Sequence, residues 1–386
     1  MPQRPFSPPN QTSRMEQTAE ALVERFKKDV NVQFTPAEAA ILAAKADRDL
    51  LAAKAAALYY FKARDLHRAL ALSKEIATRQ PTSANMCNVA ILYRDTGDLT
   101  ECIAWLNANE KHIDPIRFHD LLCSSHAFLG DRDAAIRHGD EALQLKDAQA
   151  GANPAPQPYV VRPFNPEHRE RNIISFSVWG TDERYLRGSI NNAIVARYLY
   201  PGWVARFYTD ASTPAEFQAV LQQNAAEVVM IPDMGSADFG FFWRFLVEDD
   251  ENVDIYIVRD ADSVMNIKER VAVADWLKSR RAFHVMRDDL QHSELILAGL
   301  WGAHRGNIGD MRGRIFRYSE SLPKIANYVH RDQHFLRQVI WPIMRGSVKI
   351  HDRYFNFMET DRYDASYELP TRMHIGQNDW VHYKRT

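Results

Sequence analysis

From Met15 to about Leu145 the apolar positions recur at helical spacing in a stretch rich in Ala and Leu, with almost no strand-forming run. From Asn172 the pattern changes. Short apolar runs now alternate with amphipathic stretches, which predicts a mainly parallel sheet with helices between its strands. Ile173–Trp179, Val204–Asp210, Glu227–Pro232, Ile255–Val258, Ala282–Met286 and Ile296–Gly302 read as strands. Tyr185–Leu199, Pro214–Asn224, Asp238–Val247 and Ile267–Ser279 read as helices, and another starts at Asp332. Between the two patterns, Lys146 to Arg171 carries Pro154, Pro156, Pro158, Pro163 and Pro166, the composition of an extended connector. The expected organisation is a disordered tail over 1–14, a helical domain over 15–147, a Pro-rich linker over 148–171 and an α/β domain over 172–386.

The helical half repeats. Arg64-Asp-Leu-His-Arg-Ala-Leu70, Gly97-Asp-Leu-Thr-Glu-Cys-Ile103 and Gly130-Asp-Arg-Asp-Ala-Ala-Ile136 align without gaps, and Asp65, Asp98 and Asp131 recur every 33 residues. Each unit reads as a helix, a turn and a second helix. Gly suits a left-handed C-cap, and the Asp after it caps the next helix. The first unit has Arg64 at the turn. The pattern resembles a tetratricopeptide repeat, with about three units over residues 50–147. Three stacked pairs are near the minimum for burying the apolar faces. The resemblance implies a structural or dimerising module, giving a homodimer through the repeats, or a concave surface that holds a peptide or acceptor.

Composition narrows the function. The 386-residue chain is 46% hydrophobic and 25% charged, ordinary for a soluble protein. A formal net charge of -2 gives no support for bulk nucleic-acid binding. Cys87, Cys102 and Cys123 are odd in number and lack metal-ligand spacing, as expected of reduced core thiols in a cytoplasmic protein. Met1-Pro-Gln-Arg-Pro-Phe-Ser-Pro-Pro lacks the apolar core of a signal peptide, and no run is long enough to span a bilayer. The expected location is the cytoplasm, with any link to the inner membrane peripheral.

The chemistry gathers after the run Ile255-Tyr-Ile-Val258. Charges begin at Arg259, so Asp260 and Asp262 emerge at the carboxyl end of a buried strand, where ligands of open α/β sheets bind. Two carboxylates this close repel unless a cation neutralises them. Hard oxygen ligands suit Mn²⁺ or Mg²⁺ shared with substrate phosphates. Arg244, among Phe241, Phe242, Trp243 and Phe245, needs an anionic partner. Glu248 one turn on, a diphosphate and Asp260 are the alternatives. Gly299 would let backbone approach a ligand closely.

Arg259-Asp-Ala-Asp-Ser263 on a strand end resembles the metal-binding motif of GT-A glycosyltransferases. That resemblance implies a Rossmann-like mixed sheet, a UDP- or GDP-sugar donor, a divalent cation, and a protein, peptide or glycan acceptor. It places base and ribose on Val178, Trp179, Gly180 and Thr181, and the rest of the donor near Arg244, Asp260, Ala261, Gly299 and Gln333. Ala298 stands where relatives carry the Asn of an Asn-x-Gly segment. Asp332-Gln333 resembles the donor-sugar or acceptor segment, although an Asp N-cap accounts for Asp332 as well. Met373-His-Ile-Gly-Gln-Asn-Asp-Trp380 resembles in part the His-x-x-Gly-x-x-Lys-Pro-Trp region of glycogenin-like retaining enzymes. It implies His374 as a third metal ligand beside Asp260 and Asp262, with Lys384 on the diphosphate. An inverting enzyme also needs a base, for which Asp288, Asp289 and Asp332 are the candidates, whereas a retaining one does not. The reading is a metal-dependent glycosyltransferase. A sugar-nucleotide hydrolase and a non-catalytic scaffold that binds a nucleotide sugar are the alternatives.

Overall fold

The computed structural model describes residues 11–152, 158–232, 239–322, 331–370 and 373–378. The chain divides into two compact units, Met1–His138 and Gly139–Thr386. Residues 1–10 of the predicted tail lie outside the described residues, and a helix, α1, runs over Gln11–Lys28.

The first unit is all helical where it is described. After α1 and α2 (Pro36–Ala44) come the hairpins α3 (Leu50–Lys62) with α4 (Leu66–Arg79), and α5 (Ser83–Thr96) with α6 (Leu99–Ala108). Then α7 (Pro115–Leu129) leads into α8 (Arg132–Gln149). The 33-residue period is written into the backbone. Asp65, Asp98 and Asp131 each donate their N–H to the carbonyls of Tyr60, Tyr93 and His126, all at 2.9 Å. The turn residue before each Asp is left-handed, with φ of 91° at Gly97, 87° at Gly130 and 61° at Arg64. Arg64 therefore adopts the conformation its counterparts reach with Gly, without their steric freedom. Asp65 and Asp131 cap the next helix through Arg68 N and Ala134 N, at 3.3 and 3.1 Å. Asp98 makes no cap and instead accepts from Thr96 Oγ1 at 2.7 Å. Leu42, Ala56, Val89, Ala90, Cys102 and Leu106 pack the core without solvent exposure. All three cysteines are buried thiols. A cavity of about 540 Å³ lined by Phe26, Lys54, Leu58, Phe61, Asn88 and Ile91 opens in this unit.

The second unit begins inside α8, earlier than the Pro-rich segment suggests. The reason lies in the helix's last turns. A Cβ at Gly139 would fall 2.0 Å from the Phe355 ring. Asp140 accepts from Asn356 N at 2.7 Å, Lys146 Nζ donates to Ser293 O at 2.5 Å, and Trp341 Nε1 donates to Asp147 at 2.6 Å. The Pro-rich stretch is also fastened where it is described. Tyr159 donates to Ile343 O at 2.8 Å, and Arg162 N donates to His304 Nδ1 at 3.1 Å.

One eight-stranded mixed sheet fills this unit, in the order β3-β2-β1-β4-β6-β5-β7-β8. The strands are β1 (Asn172–Ser177), β2 (Val204–Thr209), β3 (Glu227–Met230), β4 (Ile255–Arg259), β5 (Phe283–Arg287), β6 (Leu300–His304), β7 (Val348–Asp352) and β8 (Thr360–Asp361). Among the described strands β6 alone is antiparallel to its neighbours, β4 and β5. It starts at Leu300, so the expected strand start at Ile296 is loop. Helices α9 (Glu183–Leu199), α10 (Ala215–Gln223) and Ile267–Lys278 cover the sheet as expected, and a further helix, Met311–Ser321, was not foreseen. The expected helix over 238–247 is a 3-10 segment, Gly240–Asp249, and Asp238 lies outside the described residues.

Strand order positions the site. From β1 the chain moves outward to β2 and β3, then returns to lay β4 on the opposite side of β1, both pairs parallel. The carboxyl ends of β1 and β4 thus flank the crevice where strand order reverses, the place such sheets bind ligands. Ile255, Tyr256, Ile257 and Val258 show no exposed surface, so β4 is anchored by about 1.5–3 kcal/mol per side chain.

Candidate active site

The loop after β4 is held from three sides. Arg259, fully buried, donates to Gly299 O at 2.9 Å and Ser263 Oγ at 3.1 Å and pairs with buried Glu269 at 3.1 Å. It is a brace. Asn192 of α9, also fully buried, donates to Ala261 O at 3.3 Å and Ser263 O at 3.1 Å and accepts from Met265 N at 3.1 Å. Gly188, one helical turn earlier, sits so close that a Cβ would lie 2.2 Å from Ala261 O. Gly299 lies opposite, where a Cβ would meet the Asp260 carboxylate at 2.1 Å. The glycine's smallness serves an aspartate side chain here.

Two carboxylates emerge from this frame, each with its own guanidinium. Arg244 Nη1 donates to Asp260 Oδ1 at 2.5 Å and its Nη2 to Asp332 Oδ2 at 2.8 Å. Arg184 donates Nε to Asp262 Oδ2 at 2.7 Å and its Nη2 to the same oxygen. The Asp260 side chain is 41% exposed and that of Asp262 9%. Burial, then the Asp260 charge, pushes the Asp262 carboxyl above its ordinary range against the pull of Arg184. Burial draws the Arg244 guanidinium down, but Asp260 and Asp332 outweigh it and leave it raised.

The fold delivers Arg244 by its backbone. Its N–H donates to Ser177 Oγ at 2.8 Å, and its carbonyl accepts from Ser175 Oγ at 2.6 Å, which ties the 3-10 segment to β1. Phe335 packs edge-on to Phe242 and stacks on Phe245, with centroids 5.5 and 6.2 Å apart, and so carries Asp332 to the guanidinium. Glu248, the local alternative partner, instead accepts N–H bonds from Gly306, Ile308 and Gly309 at 3.1, 3.0 and 2.9 Å.

Arg244, Asp260, Asp262 and Asp332 thus come together. At the end of β1, Val178 is buried core, while Trp179 and Gly180 are half-buried and Thr181 is exposed. Trp179 packs edge-on to Trp243, and Gly180 N donates to Ser212 at 2.8 Å. Ala261 is buried beneath the loop, and Gln333, half-buried, follows Asp332. Arg184 and Tyr185 were missed by sequence reasoning. Their one signal is position, since both lie in the first turn of a helix that Asp182 caps directly after β1. Burial and the Asp262 and Asp260 charges together push the Tyr185 phenol up, against Arg184.

Asp288 and His374 belong to a second cluster. Asp288 has no exposed surface, accepts from Lys268 Nζ at 2.6 Å and from Ile375 N at 2.9 Å, and is occupied as a structural anchor. Asp289 accepts from Gln291 N at 2.9 Å. His374 packs edge-on to His292 with centroids 4.9 Å apart, and burial, then His374, takes the His292 pKa to about 3. Lys384 and Trp380 lie outside the described residues. Among the described residues no three His, Cys, Asp or Glu side chains gather closely enough to hold a metal ion by themselves. The donor chemistry of Asp260 and Asp262 nevertheless fits a hard divalent ion, which takes one or two carboxylates and completes its shell with phosphate oxygens and water.

No family model and no curated protein matches the chain. Among solved structures it is similar to a point mutant of the Thermobaculum terrenum O-GlcNAc transferase, at 15% identity and a TM-score of 0.40. That match covers 64% of this chain and 46% of the other, so this chain spans about half of that one. A second similarity, to the mannosyltransferase PcManGT of Pyrobaculum calidifontis in complex with GDP-Man and Mn²⁺, has 10% identity and a TM-score of 0.34. It covers 69% of this chain and 72% of that one.

Proposed function

We propose that the second unit is a glycosyltransferase of the GT-A type that takes a nucleotide-diphosphate sugar, with the helical repeats, read as tetratricopeptide-like, holding the acceptor. The observation that carries this reading is the set Arg244, Asp260, Asp262 and Asp332 at the crevice between β1 and β4. Charge supports it. With Arg184, three carboxylates meet two guanidiniums, leaving one excess negative charge before an anionic donor arrives. A diphosphate could not settle there without a further cation, so the pair of aspartates would hold Mn²⁺ or Mg²⁺. When bound, that ion supplies Lewis-acid stabilisation of the diphosphate leaving group.

The chain's own residues do the rest. Arg244 keeps a fixed positive group where charge develops and holds Asp260 in place. Asp332, next to it and 13% exposed, is the carboxylate of this set assigned to the acceptor hydroxyl's proton. Asp288, without exposed surface and held by both Lys268 and Ile375 N, cannot reach an acceptor and is not proposed for that task. Trp179 and Gly180, on the other lip, would take base and ribose. The 540 Å³ cavity of the helical unit offers the acceptor apolar walls with Lys54 and Asn88 among them.

The test is nucleotide release by the purified full chain from a panel of UDP- and GDP-sugars with Mn²⁺. Release should fall by about 10²-fold or more in Asp262→Asn, given the several kcal/mol such an ion contributes. Release at the wild-type rate in that variant would rule the site out. Donor binding by calorimetry without release under any condition would point to a binding domain instead.

A further inference from the structure

Arg184 stands at the junction of two requirements on the same site. It grips Asp262 by two nitrogens, both on the single oxygen Oδ2, and is itself 36% exposed at the mouth of the crevice. Its guanidinium lies over the Tyr185 ring at 5.0 Å. It comes from the first turn of α9, directly after the loop that ends β1, whereas Arg244 is anchored by backbone bonds to Ser175 and Ser177 and is 7% exposed. Of the two arginines, one is fixed and the other is placed to trade partners.

Resting on the glycosyltransferase reading above, we propose that Arg184 is a charge-exchange residue. Without donor it neutralises Asp262 in place of the divalent ion, and on donor binding it passes to the diphosphate and leaves Asp262 to the ion. The electrostatics favour such an exchange. A divalent ion on Asp262 and a guanidinium on the same carboxylate oxygen repel each other at contact distance. A diphosphate entering the crevice offers that guanidinium two-point acceptors of the geometry it prefers. Cation and donor then bind cooperatively, each weak alone, and the coupling is reciprocal.

Mn²⁺ alone is the probe, with free ion counted by electron paramagnetic resonance on the full chain, followed by UDP and GDP as donor stand-ins. Arg184→Met should bind Mn²⁺ alone on the order of tenfold more tightly than wild type, since Asp262 no longer carries a competitor. In wild type the nucleoside diphosphate should tighten Mn²⁺ on the order of tenfold or more, and in Arg184→Met that coupling should be several-fold smaller, keeping only the part due to direct phosphate ligation of the ion. Arg184→Lys, which keeps charge but loses the two-nitrogen grip, should fall between. Equal Mn²⁺ affinity in wild type and Arg184→Met, with both binding, overturns the exchange and leaves the site assignment standing. No Mn²⁺ binding in either protein, with or without nucleotide, overturns both. Arg184 is partly exposed, and a thermal melt matching wild type confirms that the Met variant is folded.

Discussion

Gly299 faces Asp260 across a gap too small for a methyl group: a Cβ there would lie 2.1 Å from Oδ2, 2.4 Å from Cγ and 2.7 Å from the backbone nitrogen. Two of these atoms belong to the carboxylate and one to the main chain, so rotation of the side chain alone cannot relieve Gly299→Ala. The carboxylate must leave its seat between Gly299 and Arg244. We expect donor turnover to drop at least about 10²-fold while stability falls by only about 1–3 kcal/mol, the usual range for overpacking. Release kinetics beside a denaturant melt separate the two. Unchanged turnover would show that Asp260 need not sit where the fold puts it.

Arg244 joins Asp260 to Asp332, and its loss would leave two carboxylates facing each other. Arg244→Ala should cost about 2–3 kcal/mol, less than a fully enclosed pair because Asp260 is half open to solvent. Arg244→Lys keeps the charge but cannot reach both oxygens at once. It should recover most of the stability and little of the turnover. Recovery of both by Lys would reduce Arg244 to a point charge.

Arg259 and Glu269, each without exposed surface, are predicted to serve architecture alone. Arg259→Met should destabilise by about 3–5 kcal/mol, because it strands a buried glutamate, and Arg259→Met with Glu269→Gln should be milder than the sum. A double-mutant cycle by urea denaturation measures this. Strict additivity would mean that the pair does not interact.

How far these placements could be read from the chain depends on the kind of residue. The run Ile255–Val258 is uniformly apolar and its burial uniform, so the strand and the two aspartates just past its end were both legible. The 33-residue period was visible because each turn repeats the same backbone bond, and Arg64 obeyed it without the glycine that usually signals it. β7 was not legible. Its sequence Val-Lys-Ile-His-Asp looks half exposed, yet His351 bonds His284 at 2.9 Å and Asp352 pairs with Arg287 at 2.6 Å, both across neighbouring strands. Polar residues that satisfy one another across a sheet look, one strand at a time, like surface. Asp288 is ambiguous for the same reason: a carboxylate at a strand end reads as a base until Lys268, 20 residues away, is seen on it. Arg184 was hidden because an arginine in a first turn is ordinarily solvated, and only the fold brings Asp262 to it from 78 residues away.

His304 makes the stability of the fold depend on pH. Its Nδ1 accepts the Arg162 N–H at 3.1 Å, so that nitrogen carries no proton in the folded chain. Burial, with a smaller contribution from Arg162, takes its pKa from 6.5 to about 4. In the unfolded chain the imidazole titrates at its ordinary value. Above pH 6.5 both states are neutral and the group is silent. Between 6.5 and 4 the unfolded state binds the extra proton, so stability falls with pH, and below 4 the loss is complete. From pH 8 to pH 5 the histidine should cost about 2 kcal/mol. His304→Asn offers an oxygen to the same N–H and cannot titrate. Urea denaturation of wild type and His304→Asn at the two pH values should therefore show wild type losing about 2 kcal/mol more than the variant. Equal losses would mean that His304 is already protonated, or freely solvated, in the folded state.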